Sequence, residues 1–420
     1  MTQSALSTNR LRTTPAILRA WSVAITVILT LLAIAGVVTA SQLVSATNEI
    51  DDNTGPVLIS TQGLVASVAE ADAANTAVFL SGENEDRQQR RLYETALDRA
   101  PRQIEDISSR LGSDETSHAA IKTAASQLTV YSGVVERARL GNVSGIGTAT
   151  QDLQEALDLV GGSTGILSNV QTVTDRTQSR LDDDISAATI PLVVTLALLA
   201  VAILTLLLAQ IRLRARTKRT INPGLLLATI TVLALAAWLI LANVGRTLDL
   251  NEARDEGYDS IALTAELQTA AFEFKTNEAA SIIGTSTFEG DNRAQSVARV
   301  EGLLTSIQNA AGSDREQAAA SALTTRWQRY VNTSDVIAEL LSDGDIDAAR
   351  ASAIGAGSRD FNGFNTTVES VLLANRDQFD ESVDSAANRL NWLLVGTIVL
   401  PLLAAAFALG GYQSRINEYW

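Results

Sequence analysis

Four long stretches of the chain carry no charged residue: Ala20 to Asn48, Ile185 to Ile211, Thr220 to Gly245 and Leu390 to Ser414. Each holds the roughly 20 apolar residues that a helix needs to cross a hydrocarbon core about 30 Å thick. A helix buried in a globular domain seldom stays uncharged on every face for so long. The runs therefore read as membrane spans, at 20–44, 185–211, 223–245 and 390–412. The first ends near Val38-Thr39-Ala40, which resembles a signal-peptidase site. A signal peptide's apolar core is only about 7–15 residues long, so an uncleaved anchor is expected instead.

Charge sets the expected orientation. Arg10, Arg12 and Arg19 precede the first span, and Arg212, Arg214, Arg216, Lys218 and Arg219 lie between the second and third, with no acid in either place. Basic flanks on short loops mark the cytoplasmic side. Segments 1–19, 212–222 and 413–420 are thus expected in the cytoplasm, and 45–184 and 246–389 outside. Trp21, Trp238, Trp392 and Tyr412 fall near span ends, the level at which interfacial aromatics anchor. The expected location is the cell membrane, multi-pass, with both termini cytoplasmic and membrane lipid as a partner.

The polar blocks carry about twice as many acids as bases and outweigh the basic segments to leave a formal charge of -15. With no cysteine, disulfides and thiolate chemistry are excluded. Alanine-rich stretches at Leu58 to Phe79, Ala96 to Leu111, Ala119 to Leu140 and Thr148 to Val160 predict helices in the first block. Ile261 to Ile283, Ala294 to Ala311, Gln317 to Leu341 and Asp345 to Leu373 predict helices in the second. Four antiparallel helices per block start and end at the membrane. No proline-rich linker intervenes at 41–51, 182–188, 246–252 or 386–390, so bundle helices are expected to continue into spans.

The halves also read as copies of one another. Gly112-Ser113-Asp114 recurs as Gly312-Ser313-Asp314, and Tyr131 followed by Ala138 to Asn142 parallels Tyr330 followed by Leu340 to Asp345. Gly161-Gly162-Ser163 parallels Gly355-Ala356-Gly357-Ser358, and Gly161, Gly162, Gly355 and Gly357 are candidate helix kinks or loop residues. The expected fold class is all-α: a polytopic membrane protein with four transmembrane helices and two tandem extracytoplasmic four-helix bundles, an internal duplication forming an intramolecular pseudo-dimer.

A span, an outer helical bundle and a returning span is similar to the input half of bacterial chemoreceptors and sensor kinases. Taken whole, the chain resembles the GlnX family of actinobacterial membrane proteins in topology, size and composition. That resemblance implies an extracytoplasmic glutamine- or glutamate-binding lipoprotein and a cytoplasmic serine/threonine kinase, PknG, as partners.

No enzyme chemistry is legible. His118 is the only histidine and reads as a solvated residue near a helix start, beside Asp114 and Glu115. No phosphate-binding loop occurs. Asp182-Asp183-Asp184 reads as a solvated acidic run rather than a metal site. No catalytic residue, cofactor, metal or nucleic-acid partner is expected. The spans contain no Asp, Glu, Lys or Arg, Pro191, Pro223 and Pro401 read as lying near span ends, and Asn243 reads as sitting near an outer boundary, which argues against transport. Trp327 and Tyr330 read as core, and the apolar residues of the bundles are expected to be taken up by packing, with no pocket.

Two functions remain close on residue physics alone. One is a signal relay, carrying an amino-acid-availability signal inward, with Arg212, Arg214, Arg216, Lys218 and Arg219 as either a lipid-facing topology signal or a docking surface. The alternative is a structural scaffold or accessory subunit of an envelope or transport complex.

Overall fold

The computed structural model describes residues 14–82, 86–144, 148–186, 189–217, 222–286 and 288–416. Among them every regular element is helical. Four helices are long and apolar enough to cross a membrane: α1 (Thr14–Glu49), α7 (Thr189–Thr217), α8 (Pro223–Glu252) and α14 (Leu393–Ile416). Only 28% to 39% of each apolar window is buried within the protein. Leu204, Leu241 and Ile190 stand exposed along them, surface that hydrocarbon covers at no cost and water does not.

The first polar block forms α2 (Gly55–Ser81), α3 (Arg87–Arg110), α4 (Glu115–Val143), α5 (Ala149–Gly161) and α6 (Ile166–Ser186). The second forms α9 (Asp259–Ile283), α10 (Gly290–Ala310), α11 (Asp314–Ser342), α12 (Ile346–Ser352) and α13 (Ser358–Arg389). The chain divides into two compact units, one of spans and one of polar helices.

In the span unit, Leu29, Leu32, Leu199, Leu206, Leu235 and Leu239 meet in one buried cluster. Apolar burial does not hold helices together in lipid, so small residues and polar bridges matter more. Thr39 and Thr195 share a hydrogen bond of 2.8 Å between α1 and α7. Gln210 on α7 donates to the Leu225 carbonyl and to Thr229 on α8, at 3.1 and 3.0 Å. Asn222 Nδ2 donates to the Gly411 carbonyl at 2.9 Å, joining the start of α8 to α14. Gly224 meets Gly411 so closely that a Cβ on Gly224 would lie 2.6 Å from the Gly411 Cα. Trp238 packs against Gly396, an inter-helix contact.

The polar unit takes residues 51–181 and 251–382 together. Its two halves meet along α2 and α9. Every residue of α2 from Ser67 to Leu80 is buried. Such a helix has no solvent face and therefore no amphipathic stripe, which is why alanine dominates it. The first half packs Tyr93, Ile107, Leu128, Val135 and Val170 into an aliphatic core. The second is built on rings: Trp327 stands edge-on or tilted to Phe274, Tyr330 and Phe364, with centroids 5.4 to 5.6 Å apart. Trp327 and Tyr330 are both fully buried.

The third helix of each half starts at the repeated glycine-serine-aspartate, with caps one residue out of step. Asp114 caps α4 by accepting from the Thr116 and Ser117 amides. Ser313 caps α11 in a reciprocal capping box with Glu316.

Three features depart from the sequence expectation. The first half has five helices rather than four, because the chain leaves the helix at Gly162 and re-enters at Ile166. Gly161 closes α5, while Gly355 and Gly357 lie in a π-helical turn, Ala353–Gly357, which leaves 346–389 helical throughout. Helix also runs unbroken through 41–51 and 246–252, with π-helical turns at Ile50–Thr54 and Ala253–Tyr258. Residues 187–188 of the 182–188 junction lie outside the described residues. At 386–390 the expected continuity fails: α13 stops at Arg389, and Trp392 adopts a left-handed φ of 66° before α14 begins. Asn388 and Asn391 flank this break with poor helix formers, and the last turn tightens to i→i+3 bonds at Leu390 and Asn391. Pro401 is the third departure, lying two turns inside α14 rather than near its end.

Candidate functional site

Burying charge costs free energy unless the charge is paired, yet α2 and α9 bury several ionisable groups where they meet. On α2 these are Glu70 and Asp72; on α9 they are Lys275 and Glu278, all at most 8% exposed. Glu70 is paired with Arg99 of α3. Its pKa is nonetheless raised, chiefly by burial, with Arg99 opposing and Glu369 adding to the rise. Asp72 receives only a long hydrogen bond, 3.4 Å, from the Tyr131 hydroxyl. Burial pushes its carboxyl up to about 7, against that bond and with help from Glu273. In the second half Tyr330 donates to Glu278 at 3.0 Å and Ser334 donates to its other oxygen. Burial still raises Glu278. Each half thus aims the tyrosine of its third helix at a buried acid on its first.

Lys275 stands apart. Its ammonium lies 4.5 Å from the centre of the Phe361 ring and has no hydrogen-bond acceptor among the described residues. Burial lowers its pKa to about 8, with Glu278 and Asp86 opposing, so it stays mostly protonated at neutral pH. It is one of three lysines in a chain that otherwise uses arginine for its cations.

Of these groups, Glu70 and Lys275 border a cleft of about 230 Å³ between the two halves of the polar unit. From the first half come Glu70, Ala73, Ala74 and Gln89, and from the second Phe272, Lys275, Phe361, Asn362, Asn365 and Glu369. Asn365 donates to Glu369 Oε1 at 3.0 Å and accepts from Gln268 at 2.7 Å, which fixes the direction of the Glu369 carboxylate. The cleft therefore presents an ammonium over an aromatic ring and two carboxylates, one on each half. The sequence pattern predicts no pocket here. Its signal was charged residues set among alanines in helices without a polar face.

The predicted basic cluster is less defined. Arg212 and Arg214 stand exposed near the end of α7, and the Arg212 guanidinium lies 5.6 Å from the Trp21 ring centre. Arg216 is in the last turn of α7, whereas Lys218 and Arg219 lie outside the described residues. His118 is in the first turn of α4, its ring 3.0 Å from the Gly112 carbonyl.

Two arginines that sequence reasoning passed over clamp the polar ends of the spans. Arg246, 1% exposed, donates to Thr47 Oγ1 at 2.7 Å and to the carbonyls of Asp184 and Ile185 at 3.4 Å. It thereby joins α8 to α1 and to the segment preceding α7. Arg389 holds Asp249 bidentately at 2.5 and 3.1 Å, tying the end of α13 to α8.

Among curated proteins and among solved structures, none matches the chain. Residues 46–186, which hold the first polar block, match the family model described as an actinobacterial sensor domain, a match that supports a sensing or signalling role.

Proposed function

We propose that this chain is a sensory relay of the cell membrane, passing an extracytoplasmic state to a cytoplasmic protein. The carrying observation is the sensor-domain match over 46–186, a segment that lies between two helices able to span a membrane. The positive-inside pattern puts the acidic helical blocks outside and the basic loop after α7 in the cytoplasm. The two blocks act as tandem copies of one sensor module, an intramolecular pseudo-dimer. Resemblance to the GlnX family supplies the partners: a glutamine- or glutamate-binding lipoprotein outside and a serine/threonine kinase inside. No enzymatic step is assigned to the chain.

Transmission has a physical basis in the junctions. Helix continues without a break from α1 into α2 and from α8 into α9. A shift of an ångström or two in such a helix is a usual size of signalling displacement. Arg246 and Arg389 couple the spans at the ends where these helices leave the membrane, so a displacement of one span is shared by its neighbours.

The cytoplasmic readout is recruitment, and the basic loop is its surface. Replacing Arg212, Arg214 and Arg216 together by Glu should abolish capture of the kinase from cells while leaving helicity unchanged, with Lys218 and Arg219 keeping the loop on the cytoplasmic side. Undiminished capture in a correctly inserted variant would remove the loop as the docking surface.

A further inference from the structure

We infer that the cleft between the two halves of the polar unit binds a small zwitterion, its anionic group on Lys275 and its ammonium between Glu70 and Glu369. This rests on the sensory reading but goes beyond it, because the chain itself, and not only a partner lipoprotein, then holds a ligand.

The cleft is a built site rather than a packing defect. A charged lysine 8% exposed, with three donors and no acceptor among the described residues, is expensive to keep there. Phe361 compensates in part through its ring face. An anionic group would supply the missing acceptors. At the other side, Glu70 has one oxygen engaged by Arg99, and Glu369 has one engaged by Asn365. The remaining oxygen of each carboxylate is left to accept from a ligand ammonium. Glu369 sits near enough to Glu70 to disfavour ionisation of the Glu70 carboxyl, a repulsion that a cation between them relieves. Asn362 adds a neutral donor and acceptor on the same wall.

Charge balance selects the class. Of the charges lining the cleft, Lys275 is positive and Glu70 and Glu369 are negative, with Arg99 paired to Glu70 from outside the lining, so both signs are present. A net-neutral zwitterion matches both ends. A dicarboxylate would set one anion against Glu70 and Glu369, and a diamine would set one cation against Lys275. The volume, about 230 Å³, falls below the roughly 300–1,000 Å³ of drug-sized sites, and suits a metabolite of α-amino-acid size. Both halves line the cleft, so a bound ligand changes how α2 meets α9.

The test is thermal unfolding of the purified full chain in detergent, with the standard α-amino acids, a set of linear dicarboxylates and a set of linear diamines as probes. One or more α-amino acids should raise Tm saturably, as a ligand selective for the folded state does, while the other two sets should not. Lys275→Met and Glu369→Gln should each weaken that binding by roughly tenfold or more. Glu369 is only half-buried, so Glu369→Gln carries the test if Lys275→Met does not fold. The inference fails if no α-amino acid shifts the wild type, if dicarboxylates or diamines shift it equally, or if the folded variants keep the full shift. Binding is read here on the isolated chain, so its failure would leave the relay reading, which is tested through partners, standing on its own.

Discussion

Trp327→Ala should destabilise the polar unit by about 3–5 kcal/mol, the usual cost of emptying a large aromatic site in a core. Trp327 is fully buried and touches three other rings, so no neighbour can move in without breaking its own aromatic contacts. Its indole Nε1 has no hydrogen-bond partner among the described residues, so the loss is one of packing and not of a polar bond. Thermal unfolding of the full chain in mild detergent should show a fall of about 10 °C. Trp327→Phe, which keeps most of the volume, should lose much less. A negligible change in the alanine variant would mean that the ring cluster does not form the core of the second half.

Asp72→Asn is expected to act in the opposite direction, increasingly as pH rises from about 4 to about 7. The carboxyl titrates at about 7 in the folded chain, above its usual value, because burial disfavours the anion. A raised folded pKa means that the folded state holds the proton more tightly than the unfolded one. Stability from that proton is complete below the unfolded pKa near 4 and is lost as pH rises towards 7. Above pH 7 the wild type carries a buried anion whose one hydrogen bond, from Tyr131, is long. Asparagine imitates the neutral acid and cannot ionise. Melting at pH 8 should therefore show the variant more stable by up to about 4 kcal/mol, at 1.36 kcal/mol per pKa unit, and melting near pH 4 should show little difference. Equal stability at both pH values would mean that Asp72 is not desolvated.

The spans were legible because a run of more than 20 uncharged residues has almost no other use. The helices of the polar blocks were legible from alanine-rich, 3.6-residue patterns broken by short polar turns, and Asp114 and Ser313 prove to satisfy free amides at two of their starts. What escaped was the meeting of α2 and α9. Periodicity locates a buried face by contrast with a wet one, and a helix buried on every side gives no contrast. Lys275 and Glu70 are some two hundred positions apart, so the cleft they line leaves no mark in any local window. The break at Trp392 escaped for another reason, because a left-handed tryptophan contradicts the local preference of its residue type. Arg246 was passed over because a lone arginine beside an apolar run reads as a flank, whereas its partners come from helices far away in sequence.

The sensory relay is tested most directly by crosslinking in living cells, followed by capture of this chain and identification of what accompanies it, with and without added glutamate. The account predicts a solute-binding lipoprotein and a serine/threonine kinase in the captured material, in amounts that change with the amino acid. Cell-wall or transporter subunits captured at a constant level, with neither of those partners present, would contradict it and make the chain a scaffold.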